Sequence, residues 1–199
     1  VETVLKLTHV STQTPDGRKL CADINFGLNA GDLLLLEGEN GSGKTTLIKS
    51  ILGLYHFYSG QIERKFTPDD VAYLPQLGNI QFFLPLTLHN VVNLKALFDQ
   101  ATIEGIGLLS PSLFDRPWNS ASGGERQKAL LTRAFLSEAK LLVLDEPFNH
   151  IDKAARKLVI ELIAKARLKG QTILLISHEH ALAEFSQAKR LILTEEFST

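Results

Sequence analysis

The sequence predicts an α/β fold with a mostly parallel central sheet, an antiparallel β part at the N-terminus and a small helical subdomain. Three short, continuous apolar runs, Leu33 to Leu36, Leu141 to Leu144 and Ile173 to Ile176, have the pattern of strands buried on both faces. Helical periodicity lies between them, at roughly 44–53, 123–138 and 152–168, and strands alternating with helices indicate a wound sheet. Each apolar run leads directly into polar residues able to do chemistry, and such sheets bind ligands at the carboxyl ends of their strands.

Taken in order, Val4 to Val10 alternates apolar and polar residues and Ile24 to Leu28 does so weakly, with the turn residues Pro15, Asp16 and Gly17 between them. This is an antiparallel start. The helix at 152–168 carries Leu158, Val159, Leu162, Ile163 and Ala166 at helical spacing, which gives it a buried face. Residues from about 84 to 121 show no clear strand and contain Pro85, Pro111 and Pro117, so they read as a helical insertion with loops. Residues 1–199 are expected to form a single domain, because the length suits one buried core and no repeat or low-complexity segment divides it.

The apolar fraction of 44% and charged fraction of 22% are those of an ordinary globular chain, which argues against disorder and against a membrane class. A net charge of -1 offers no general attraction to nucleic acid, so no nucleic-acid partner is expected. The one cysteine, Cys21, reads as a small buried residue and suits a reducing compartment. No run reaches the ~18 apolar residues a bilayer-spanning helix needs, and the first residues lack a signal-peptide pattern, so a cytoplasmic location is expected. The chain contains no methionine, so either the first residue is expected to have been removed or the N-terminus to have been trimmed.

After Leu33 to Leu36 comes Gly38-Glu39-Asn40-Gly41-Ser42-Gly43-Lys44-Thr45, which fits G-x-x-x-x-G-K-[ST] between a strand and a helix. Glycines let the backbone turn sharply and aim N–H groups inward, and the helix that follows adds its positive dipole end, so a polyphosphate is held there. Lys44 is placed to bridge the β- and γ-phosphates, Thr45 to ligate Mg²⁺, and Thr46 completes the nucleotide-binding positions. The core is therefore expected to be that of a phosphate-loop NTPase, and the motif alone says only that a nucleotide is held there, with Mg²⁺.

The run Leu141-Leu142-Val143-Leu144 ends in Asp145-Glu146, two carboxylates that point different ways from the strand end. Asp145 fits the role of Mg²⁺ ligand, which leaves Glu146 to orient and deprotonate the attacking water. Farther on, Ser122-Gly123-Gly124-Glu125 opens a helix with a buried face of Leu130, Leu131, Ala134 and Phe135. Ser122 and Glu125 have capping-box spacing, but that does not account for two glycines in the first turn, which weaken a helix and bare N–H groups to an anion.

Here the sequence resembles the ABC (ATP-binding cassette) family, whose signature Leu-Ser-Gly-Gly-Gln/Glu appears as Ala121-Ser122-Gly123-Gly124-Glu125, with only its first position departing. The resemblance implies that Ser122, Gly123, Gly124 and Glu125 contact the γ-phosphate of ATP held by a second ATPase subunit, so that two nucleotides are sandwiched in a homodimer. Gln76, in Ala72-Tyr73-Leu74-Pro75-Gln76, resembles the glutamine that senses Mg²⁺ and the attacking water and connects to a transmembrane partner. It joins Thr45 and Asp145 as a metal position, and Glu146 and His178 as a catalytic one. His178 resembles the histidine that contacts the γ-phosphate; the alternative, a metal site at His178-Glu179-His180, lacks further clustered ligands. Phe148-Asn149-His150-Ile151-Asp152 resembles the segment whose Asp shapes the dimer interface. Many members stack adenine on an aromatic residue near the position of Thr14; here no aromatic precedes Phe26.

The resemblance covers about residues 5–193. It implies an ATPase that powers a transporter through a transmembrane permease subunit, seated peripherally on the cytoplasmic face of the membrane. Tyr73-Leu74-Pro75-Gln76 with Phe83-Leu84-Pro85-Leu86-Thr87 and Glu125 resembles zinc or manganese importers, and the short chain resembles the ATPase of cytochrome c haem export. A non-transport alternative stays open, because Asn149-His150-Ile151-Asp152 is similar to the same segment of ribosome-bound ABC translation factors.

Overall fold

A computed structural model describes residues 2–80, 82–177 and 185–193. Strands β1 (Thr3–Gln13), β2 (Lys19–Asn29) and β4 (Tyr58–Arg64) form an antiparallel sheet in the order β2-β1-β4. Strands β3 (Leu33–Gly38), β5 (Val71–Leu74), β6 (Leu141–Asp145), β7 (Thr172–Ile176) and β8 (Lys189–Leu193) form a parallel sheet in the order β5-β6-β7-β3-β8. Helix α1 (Lys44–Ile51) follows β3, α4 (Gly123–Leu136) precedes β6, and α5 (Lys153–Leu168) joins β6 to β7. Between Leu84 and Ala121 lie two short helices, α2 (Leu88–Val92) and α3 (Gln100–Ile106), and two single 3-10 turns.

The parallel sheet explains the apolar runs residue by residue, because successive side chains of a strand point to opposite faces. Leu33 and Leu35 of β3, Leu142 and Leu144 of β6, and Ile173 and Leu175 of β7 join one core with α4, α5 and the 84–121 region. Leu34 and Leu36, Leu141 and Val143, and Leu174 and Ile176 join a second core with α1 and the antiparallel sheet. Cys21 belongs to the second core, where its Sγ lies 3.0 Å from the Thr12 hydroxyl.

Register brings the strand ends level. Leu74 pairs with Leu144, Asp145 with Ile176, and Ile176 with Leu36, so Gln76, Asp145 and the loop after Gly38 leave the sheet on one edge. Strands β4 and β8 lack the four-residue apolar runs of β3, β6 and β7, since each lies at the outside of its sheet and shows charged residues such as Glu63, Arg64, Lys189 and Arg190.

Leu35 is fully buried in an interior strand. Leu35→Ala is expected to lower unfolding free energy by roughly 2–5 kcal/mol, read from denaturant midpoints at unchanged slope.

Candidate nucleotide site

The loop between β3 and α1 is built around a backbone that only glycine tolerates at its entry. Gly38 has φ 148°, and a Cβ there would meet the Leu193 carbonyl at 2.5 Å and Ser42 Oγ at 2.7 Å. Lys44 folds back over the loop and donates from Nζ to the carbonyls of Gly38 (2.8 Å) and Glu39 (2.7 Å). Burial, to 7% exposure, lowers the pKa of its ammonium, and the carboxylates of Glu146 and Asp145 oppose that shift. Ser42 is 1% exposed, and its hydroxyl has no hydrogen-bond partner among the described residues. A buried cation and an orphaned hydroxyl inside a ring of backbone N–H groups suit a phosphate chain.

These residues open onto a cavity of about 290 Å³. Asn40, Gly41, Gly43, Lys44, Thr45 and Thr46 form its floor, Gln76 and the pair Asp145 and Glu146 its far wall, and Leu20 of β2 its aliphatic side. The structure thus gathers residues expected from three separated stretches of sequence. The hydroxyl of Thr45, the amide of Gln76 and the carboxylate of Asp145 present oxygen donors, the set a hard divalent cation such as Mg²⁺ requires. Thr14, at the position of the usual aromatic, is instead bonded to Arg18 across the β1-β2 turn. Leu20 is an apolar contact that sequence reading passes over, since it lies in β2, beyond the turn that holds the expected aromatic position.

Tyr73 is a second residue the motifs do not reveal. Its hydroxyl donates to Asp145, and its pKa rises to about 12, first through burial and then through the Asp145 carboxylate. A bulky phenol at the penultimate position of a strand reads as core; only the β5-β6 pairing puts it beside Asp145.

Ser122 to Glu125 do not line the cavity. Ser122 N donates to Glu125 Oε2 at 2.8 Å and Glu125 N to Ser122 Oγ at 3.3 Å, so the capping box forms, and Arg116 pairs with Glu125 at 3.2 Å. Gly124 has a packing cause of its own: a Cβ there would lie 2.6 Å from the His150 carbonyl oxygen. The turn after β6 therefore rests on the tip of α4. His150 holds left-handed backbone, φ 64°, as does Glu146, φ 51°. Asp152 caps α5 through Ala155 N (2.8 Å) and accepts from Lys128 of α4 (2.6 Å), which together hold its carboxyl down to about 2. His178 lies outside the described residues.

Gly124→Ala separates packing from ligand contact at this glycine. In a helix free of neighbours alanine would stabilise by about 1 kcal/mol, whereas a methyl pressed on a backbone oxygen destabilises by roughly 1–3 kcal/mol. We expect the second result in thermal unfolding of the nucleotide-free protein.

The family model described as ABC transporter matches residues 21–149. The zinc import ATP-binding protein ZnuC of Magnetococcus marinus is 35% identical over 187 residues, covering 87% of this chain and 71% of that protein. The protein of the same name from Pseudomonas aeruginosa is 34% identical over 181 residues, 88% of this chain and 66% of the relative. That from Yersinia enterocolitica is 36% identical over 183 residues, 90% and 71%. The chain thus spans only about two thirds of the length of these relatives. Among solved structures, an ATP-binding subunit of an ABC transporter matches with a TM-score of 0.79 at 27% identity, covering 96% of this chain and 86% of that one. An inward-facing metal-chelate type ABC transporter matches with a TM-score of 0.74 at 25% identity, covering 96% and 80%. Sequence and fold agree with these proteins over most of the chain, which belongs to the ABC transporter family as an ATP-binding, ATP-hydrolysing cassette.

Proposed function

We propose that this cassette powers import of a divalent transition-metal ion, zinc being the first cargo to test, with Glu146 as the base that activates water against bound ATP. The observation that carries the cargo is the 34–36% identity, over most of this chain, to relatives named for zinc import. Each relative and solved structure compared above is named as part of an import or transport system, which favours transport over the ribosome-bound alternative.

The residues divide the work by position. Backbone N–H groups of the loop, the Ser42 hydroxyl and the N-terminus of α1 receive the phosphates, and Lys44 exchanges its two carbonyl partners for phosphate oxygens. Thr45, Asp145 and Gln76 would hold Mg²⁺, which when bound neutralises phosphate charge. Glu146 takes the proton of a water whose oxygen bonds to the γ-phosphorus as the β–γ bridge opens, leaving ADP and phosphate. Tyr73 orients Asp145 by donating to it. His178 is a further γ-phosphate contact in this reading. Ser122 to Glu125 serve the nucleotide of a second copy, which their place outside the chain's own cavity supports.

A larger cavity, about 600 Å³, lies against β5 and the ends of α2 and α4. Its Arg133 is pushed down in pKa by burial and has no ion pair or hydrogen bond among the described residues, while Leu94 and Leu97, the latter 91% exposed, are chain neighbours of the lining residues Lys95, Ala96 and Phe98. An apolar segment bearing a carboxylate satisfies both features. We assign that segment to the cytoplasmic side of a permease, because among the described residues no helix is long and apolar enough to cross a membrane.

Glu146→Gln is expected to bind ATP with near-normal affinity, lose about 10²–10⁴ in turnover, and accumulate as an ATP-bound dimer in sedimentation. Unchanged turnover removes the base assignment. For the cargo, cells lacking the chain should fail to grow under zinc chelation and recover with added zinc. Normal growth, with the chain recovered on ribosomes and not with a membrane protein, overturns the transport reading.

A further inference from the structure

The turn Glu146-Pro147-Phe148-Asn149 closes on itself: Asn149 N donates to the Glu146 carbonyl at 3.2 Å, and Pro147 occupies the position whose φ it pre-sets. Contacts with β7 and α4 fasten this turn to the rest of the protein. Glu146 N donates to the Ile176 carbonyl of β7 at 3.1 Å. Gln127 of α4, 1% exposed, donates from Nε2 to the Pro147 carbonyl at 3.2 Å. The His150 carbonyl abuts Gly124 at the tip of the same helix. Backbone anchoring leaves the Glu146 side chain with three torsions of its own, and to it Asn149 Nδ2 donates at Oε2. A carboxylate only accepts, so the amide must present its NH₂ to it.

We propose that Asn149 is a positioning residue for Glu146: its side-chain amide holds the carboxylate over the phosphate-loop cavity in the orientation that receives the proton of the attacking water. The inference rests on Glu146 being the base. A carboxylate has about four lone-pair sites, so the bond from Asn149 does not by itself saturate it, and the amide is a neutral donor. Because Asn149 and His150 are adjacent, the grip on the base is braced by the α4 tip through the His150–Gly124 contact. The sequence marks Asn149 only as part of a turn; its contact with Glu146 appears once the turn closes.

Asn149→Asp tests this in the full chain, since aspartate keeps size and turn preference while replacing the donor with a second carboxylate. We expect kcat for ATP hydrolysis to fall about 10- to 100-fold while KM and ATP affinity stay within about twofold. Asn149→Ser, a shorter donor, should fall between Asn149→Asp and the parent. In the Glu146→Gln background, where the acceptor no longer acts as a base, Asn149→Asp should cause no further loss. A kcat for Asn149→Asp within about twofold of the parent, or above it, overturns the proposal. So does an equal loss with and without Glu146. Failure of the base reading itself registers separately, as normal turnover of Glu146→Gln alone.

Discussion

The structure depends on one constraint: a parallel sheet buried on both faces, in which every apolar residue of β3, β6 and β7 has a place in one of two cores. Leu35 and Leu36 face opposite layers, as do Leu144 and Val143. A slip of one residue in any strand would send its whole apolar set to the wrong layer, and both layers are full. Register is therefore rigid, and rigid register is what holds Gly38, Asp145 and the chain leading to Gln76 on one edge. Chemistry that tolerates errors well under an ångström is built here on strand ends, with only the residues just past each strand free to take strained backbone.

From that edge the site is assembled out of groups that are incomplete alone. Lys44 is buried and satisfied by its own loop's carbonyls, Ser42 is buried with no hydrogen-bond partner among the described residues, and Asp145 and Glu146 bring negative charge to the same space. A phosphate chain offers Lys44 new acceptors and Ser42 a partner. The site is poised for ligand by arrangements that are mildly unfavourable without it, which is where binding free energy finds differential contacts.

Two ties bind the carboxylate turn to α4 beyond those near the base. Lys128 reaches Asp152, and the His150 carbonyl occupies the space a Gly124 side chain would fill. The glycine-tipped helix and the turn after β6 are one packed unit. Whatever displaces the helix tip is felt at the turn through a contact with no slack, because main chain meets main chain there.

The sequence by itself determined the fold class, the interior strands β3, β6 and β7, the helices α1, α4 and α5 to within two residues of their ends, and the residues of the phosphate loop. These follow from local rules: periodicity, buried apolar runs, and a glycine pattern whose function is backbone geometry. Strands β4 and β8 were not legible, since at the outside of a sheet half the surface meets solvent and no apolar run is required. Tertiary structure alone decided that Tyr73 serves Asp145, that Leu20 walls the nucleotide cavity, that Gly124 is needed for close packing and that Asn149 holds Glu146. In each case the deciding neighbour comes from another strand, another helix or the closure of a turn, and one-dimensional spacing carries no record of which distant residue folding will bring within reach.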